Sequence, residues 1–77
     1  MTLSSIQTGD WAIITALLNN EYMLKLIEMG FYENKTIQVL SKTWDRETLS
    51  VKLGHSRIML RKQEADTIMV RKCEEKF

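Results

Sequence analysis

Seventy-seven residues, 44% of them hydrophobic and 27% charged, describe one globular domain, too apolar for intrinsic disorder and too punctuated by charge for a membrane span. Eleven Lys and Arg against ten Asp and Glu leave +1, which excludes a broad field of one sign that would draw in nucleic acid, anionic lipid or an acidic substrate. The single cysteine, Cys73, excludes an internal disulfide, and Met1-Thr2-Leu3-Ser4-Ser5 lacks the basic start and apolar run of a signal peptide, so a soluble cytoplasmic protein is expected.

A chain of this size buries only about 60% of its unfolded surface. Without disulfides it depends on an economical core or on a partner, which already favours an accessory or binding role. After a short polar lead, Thr8-Gly9-Asp10 signals a turn. The run Trp11 to Leu18 follows, short and carrying β-branched Ile13, Ile14 and Thr15, which predicts a strand. Asn19-Asn20 interrupts it and offers a cap to a helix over Glu21 to Met29. Met23, Leu26 and Ile27, with Tyr22 and Met29, have the spacing of one buried helix face. Gly30 supplies the positive φ that ends the helix, and Lys25 and Glu28 are left as a solvated pair.

Asn34 stands where the chain turns again, since Asn tolerates the left-handed region. From Thr36 the pattern alternates, with Ile37 and Val39 on the buried face. A polar interruption at Thr43 to Glu47 leads to a second alternating run, Leu49, Val51 and Leu53. Gly54-His55 suits a type II′ turn, which sets the register of the hairpin that follows. Val51 then faces Ile58 and Leu49 faces Leu60, while Ser50 faces Met59 and Lys52 faces Arg57 on the wet side. By the same parity the preceding hairpin pairs Val39 with Val51 and Ile37 with Leu53, with Trp44-Asp45-Arg46 as its loop. Lys62 to Asp66 is a helical turn, Thr67 to Val70 a last strand with Ile68 and Val70 inward, and Cys73 to Phe77 a charged tail. The order of strand, helix, three-stranded meander, helical turn and strand predicts a mainly β fold, a small curled barrel of five strands, which leaves fewer free edges than a flat sheet.

Four segments carry a resemblance to a known family: Gly9-Asp10-Trp11-Ala12-Ile13-Ile14, Leu26-Ile27-Glu28-Met29-Gly30-Phe31, Thr36-Ile37-Gln38-Val39-Leu40, and Leu60 to Val70. In order and spacing they resemble the FeoA family of bacterial ferrous iron uptake, and the FeoA-like domain at the end of some iron-dependent repressors. The likeness runs from about residue 3 to residue 71 of a single domain spanning 1–77. The chain departs from the family pattern at Lys25, where Arg is usual, at Asn34, where Gly is usual, and in the loop Thr43 to Glu47, which lacks a common Pro-containing segment. The resemblance implies an SH3-like barrel with one short helix after the first strand, no enzymatic activity, and a partner in the FeoB membrane transporter, met on its cytoplasmic side without membrane insertion.

Read for chemistry, the residues provide no ligand set. A tight first-row metal site needs three or four converging His, Cys or carboxylate groups. Here His55 falls on a hairpin tip, Cys73 near the tail, Glu64 and Asp66 on a solvated turn, and Met23, Met29, Met59 and Met69 at core spacing. No cofactor is expected, beyond weak surface contact with iron or another divalent metal. No nucleophile motif and no Walker A loop is present, so the chain is not expected to be an enzyme. Binding is the remaining class. Trp44 in its polar loop either folds back over the barrel end or anchors a partner, and Tyr22, Phe31 and Tyr32 around the helix exit are the other candidate contacts. A homodimer through a sheet edge is the further option. The alternative from another class is a regulatory or nucleic-acid-associated barrel using Arg57, Arg61, Lys62, Arg71 and Lys72, with near-neutral charge against it.

Overall fold

The computed structural model describes residues 1–74; of the tail expected over residues 73–77, residues 75–77 lie outside the described part. A 3-10 turn, Leu3–Ser5, precedes β1 (Trp11–Leu17), α1 (Met23–Glu28), β2 (Thr36–Lys42), β3 (Thr48–Leu53), β4 (Ser56–Arg61), α2 (Lys62–Ala65) and β5 (Ile68–Cys73). The five strands form one antiparallel sheet in the order β4-β3-β2-β1-β5. Cys73, expected to open the tail, is instead the last residue of β5, paired with Trp11.

α1 is shorter than its periodicity suggests. The Asn20 side chain accepts the Tyr22 N–H at 2.9 Å, but the helix proper begins at Met23. Its exit is a Schellman motif: Gly30 has φ +104, its N–H donates to the Ile27 carbonyl at 3.0 Å, and the Phe31 N–H donates to the Leu26 carbonyl at 2.9 Å. That geometry folds Phe31 back onto Leu26, and both side chains are fully buried. Phe31 is therefore a core residue and not a rim contact. Ile27, expected inward, is exposed, because a helix of fewer than two turns buries one narrow stripe.

The register of β3 and β4 runs from Leu53↔Ser56 to Thr48↔Arg61 without a slip, as the Gly54-His55 turn predicts. Gly54 has φ +63 and His55 is not in the left-handed region, as type II′ requires. β2 and β3 begin in the expected register, with Ile37↔Leu53 and Val39↔Val51. A bulge between Val39 and Ser41 then shifts the pairing to Ser41↔Ser50 and Lys42↔Leu49. The loop gains one residue, Glu47, over the expected Trp44-Asp45-Arg46: Thr43 and Thr48 close it through a 2.9 Å backbone bond, and Arg46 turns it at φ +66.

The core collects Ala12 and Ile14 from β1, Leu26 from α1, Ile37 and Val39 from β2, Leu49, Val51 and Leu53 from β3, Leu60 from β4, and Ile68 and Val70 from β5. Leu3 and Ile6, in the segment read as a polar lead, are also buried and belong to it. Met59, expected in the core, is 60% exposed, because it opposes Ser50 on the outer face. Ser50 lies on that face yet is buried, its hydroxyl accepting from Arg57 Nε at 2.7 Å beneath the arginine side chain.

Candidate docking surface

Trp44 is held out by the loop that carries it. Thr43 Oγ1 donates to the Asp45 carboxylate at 2.6 Å, and the same Oδ1 atom accepts the Glu47 N–H at 3.1 Å. The Thr48 N–H reaches back to Thr43 Oγ1 at 3.2 Å. These bonds from Thr43 and the Glu47 backbone hold the Asp45 carboxyl below its ordinary range. With Asp45 and Thr43 turned to the loop's interior, the indole has no interior to enter and is 94% exposed. It does not fold back over the barrel end. An open groove of about 680 Å³ runs beside it, lined by Ser4, Ser5, Gln7, Lys42, Trp44 and Arg46 among others. Lys42 Nζ donates to the Ser4 carbonyl at 2.9 Å there; partial burial, then the neighbouring Arg46 charge, push the Lys42 ammonium down from its usual range.

The other aromatic candidates divide. Tyr32 is 47% exposed, with Lys35 Nζ 5.2 Å from its ring centroid, a cation–π contact at the surface. Tyr22 is half-buried and packs against the core. Phe31 contributes nothing to the surface. Residues missed by the sequence reading stand near the helix instead: Leu24 is 68% exposed and Ile27 39%, three positions apart on the outer side of α1, with Leu18 at the end of β1 also exposed. Leu24 lies off the Tyr22, Leu26 and Met29 stripe, which is the one signal that could have marked it.

Of the charged residues expected to be solvated, Lys25 and Glu28 are exposed, whereas Glu64 is buried and Asp66 half-buried. Lys25 does not pair with Glu28; its Nζ lies 2.5 Å from Glu64 Oε2, across the fold. Glu64 is buried, and its other oxygen accepts the Arg61 N–H at 3.0 Å, capping α2. Burial alone would raise the Glu64 carboxyl; the bonds from Lys25 and the Arg61 N–H outweigh it, and the net direction is down. Asp66, half-buried, accepts from Ser4 Oγ and from Lys62 Nζ, the latter at 3.1 Å. These carboxylates tie the N-terminal turn and α1 to α2. His55 is exposed on its hairpin tip and Cys73 is a half-buried free thiol at the end of β5. Among the described residues no group of three or more His, Cys, Asp or Glu is placed to hold a metal ion, and no helix is long and apolar enough to cross a membrane.

The family model described as FeoA domain matches residues 1–72. A Campylobacter jejuni protein provisionally named Fe(2+) transport protein A is 35% identical over 71 residues, which make up 91% of this chain and 96% of that protein. The solution structure of iron(II) transport protein A from Clostridium thermocellum superposes with a TM-score of 0.87 at 34% identity; the match covers 94% of this chain but 45% of that one, so the chain spans under half its length. Stenotrophomonas maltophilia FeoA, solved with zinc and described as an SH3 domain protein, gives a TM-score of 0.82 at 28% identity over 92% of this chain and 89% of its own. The five-stranded sheet described above is thus SH3-like. A manganese-dependent transcriptional repressor shares the fold alone, with 18% identity over 95% of this chain and 36% of that one at a TM-score of 0.84.

Proposed function

Because the chain belongs to the FeoA domain family, we propose that it is a non-enzymatic accessory protein of bacterial ferrous iron uptake, a single cytoplasmic domain that docks on the cytoplasmic part of a FeoB-type transporter and modulates it. Relatives named for Fe(2+) transport support the system. The observation that carries the docking is Trp44, 94% exposed on a loop whose own hydrogen bonds hold it outward. An aromatic side chain presented this way loses little conformational freedom on binding and contributes a large apolar area. The groove beside Trp44 extends this contact, whereas exposed Tyr32 precedes β2, at the other end of that strand from Trp44, and would be a separate contact; Tyr22 packs against the core.

The alternative, a nucleic-acid-associated barrel, has less behind it. Arg57, Arg61 and Lys62 belong to β4 and α2, while Arg71 and Lys72 belong to β5 at the other edge of the sheet. Lys62 and Lys72 are paired with Asp66 and Asp10, so two of the five charges are compensated.

Binding to the isolated cytoplasmic region of the transporter, measured by calorimetry, tests the proposal. Trp44→Ala is expected to weaken it by roughly thirtyfold, the about 2 kcal/mol of an aromatic anchor. Its thermal midpoint should stay within about 3 °C of the parent, because the side chain is outside the core. Unchanged affinity would remove Trp44 from the interface. Salt-sensitive DNA or RNA binding with no transporter contact would overturn the function itself, and light scattering on the chain alone decides whether a homodimer competes.

A further inference from the structure

The two edges of the sheet are finished differently. On β5, Met69 bridges to Thr2 and the Val70 N–H donates to the Met1 carbonyl at 2.8 Å, so the N-terminal segment covers the first half of that edge. Among the described residues β4 has no such cover. The two-residue turn makes Leu53↔Ser56 a hydrogen-bonded pair, and alternation continues through Val51↔Ile58 and Leu49↔Leu60 to the Lys62 N–H on the Glu47 carbonyl at 2.9 Å. Arg57 and Met59 fall between these pairs, so their N–H and C=O groups point away from β3, and none has a partner among the described residues. At Arg61 the outward N–H is already taken by Glu64 Oε1.

The same parity sends the side chains of Arg57, Met59 and Arg61 to the outer face, where all three are exposed. Lys52 stands opposite Arg57, and neither Lys52, Arg57 nor Arg61 is in an ion pair among the described residues. The Arg57 bond from Nε to Ser50 fixes its guanidinium across the sheet and leaves its terminal N–H groups available. Glu47, beyond Thr48, is the one acidic residue next to this face in the hairpin. Cations on a short edge prevent pairing with a second copy, because they would meet their own kind. They select a strand of opposite charge by the same force.

We propose that β4 is a strand-addition site for an acidic, extended protein segment in which carboxylates flank an apolar residue. Its backbone bonds to Arg57 and Met59, its carboxylates meet Arg57 and Arg61, and its apolar side chain covers Met59. The site is separate from the Trp44 surface and does not depend on it.

The test is amide exchange of the full chain, followed by NMR, with a short capped peptide in which threonine alternates with glutamate and valine in turn. Exchange at Arg57 and Met59 should slow by roughly tenfold with this peptide and not with its lysine counterpart, and the effect should weaken with salt. Arg57→Glu with Arg61→Glu should reverse the preference toward the lysine peptide. Met59→Pro removes an outward N–H that β3 does not use, so it should keep the thermal midpoint and weaken peptide binding about fivefold. Trp44→Ala should leave all of this unchanged. Equal protection by both peptides, stronger protection by single-stranded oligothymidylate, or protection that grows with chain concentration alone would each overturn the proposal.

Discussion

Glu64 shows how much a single side chain can join: its two oxygens take the Lys25 ammonium from α1 and the Arg61 N–H at the start of α2. Lys25→Met leaves the buried carboxylate with one partner, and since Lys25 is itself 60% exposed the loss is expected to be about 1–2 kcal/mol in denaturant unfolding. The pH dependence follows from the depressed Glu64 carboxyl. A group whose folded pKa lies below its unfolded value of about 4.3 stabilises above that pH, and the contribution is lost as pH falls through the folded pKa. Glu64→Gln should therefore start with a lower thermal midpoint at neutral pH and decline less steeply than the parent below about pH 4.3. An equal slope would mean that Asp45 and Asp66, both also depressed, carry the acid sensitivity. None of this was legible in the chain, where Lys25 and Glu28 look like an ordinary surface pair; the true partner is 39 residues away. Gly30 is the opposite case. Its positive φ was readable from its place after an apolar helix, and its tight fit, with a Cβ there 3.2 Å from Leu53 Cδ2, was not.

At the scale of elements, turn chemistry separates what could be read from what could not. Gly54-His55 suits a two-residue turn, from which the whole β3 to β4 register follows by parity, and the structure matches it at every pair. Between β2 and β3 nothing in Leu40 announces a bulge, because a bulge answers the curvature of the sheet and not a local preference. The register makes a direct prediction. Val51 is fully buried and Lys52 is exposed beside Arg57. Val51→Asp should cost about 3–5 kcal/mol through an unpaired buried charge. Lys52→Asp should change stability by no more than about 0.5 kcal/mol, as surface substitutions do. Guanidinium unfolding midpoints of the two variants check both.

Across the whole molecule, the near-neutral charge is not evenly spread: Lys62 and Lys72 are paired with acids, while Lys52, Arg57 and Arg61 share the outer face at β4 and are in no ion pair among the described residues. Leu3 and Ile6 complete the core from outside the five strands, and Met1 and Thr2 pair with the β5 edge at Met69 and Val70. Leu3→Ala is thus expected to cost about 2–4 kcal/mol despite its place near the terminus, a loss measurable by thermal unfolding. Of the aromatic candidates, Trp44 and Tyr32 remain on the surface while the Schellman turn takes Phe31 inside. Sequence by itself determined the order of elements and the β3 to β4 register, because alternation, turn residues and helix stops act over a few neighbours, and the four matching segments identified the family. Only the tertiary structure decided which charges pair, which aromatics face water and which edge stays open. Those depend on residues far apart in the chain being brought within a few ångströms, and no local pattern encodes that distance.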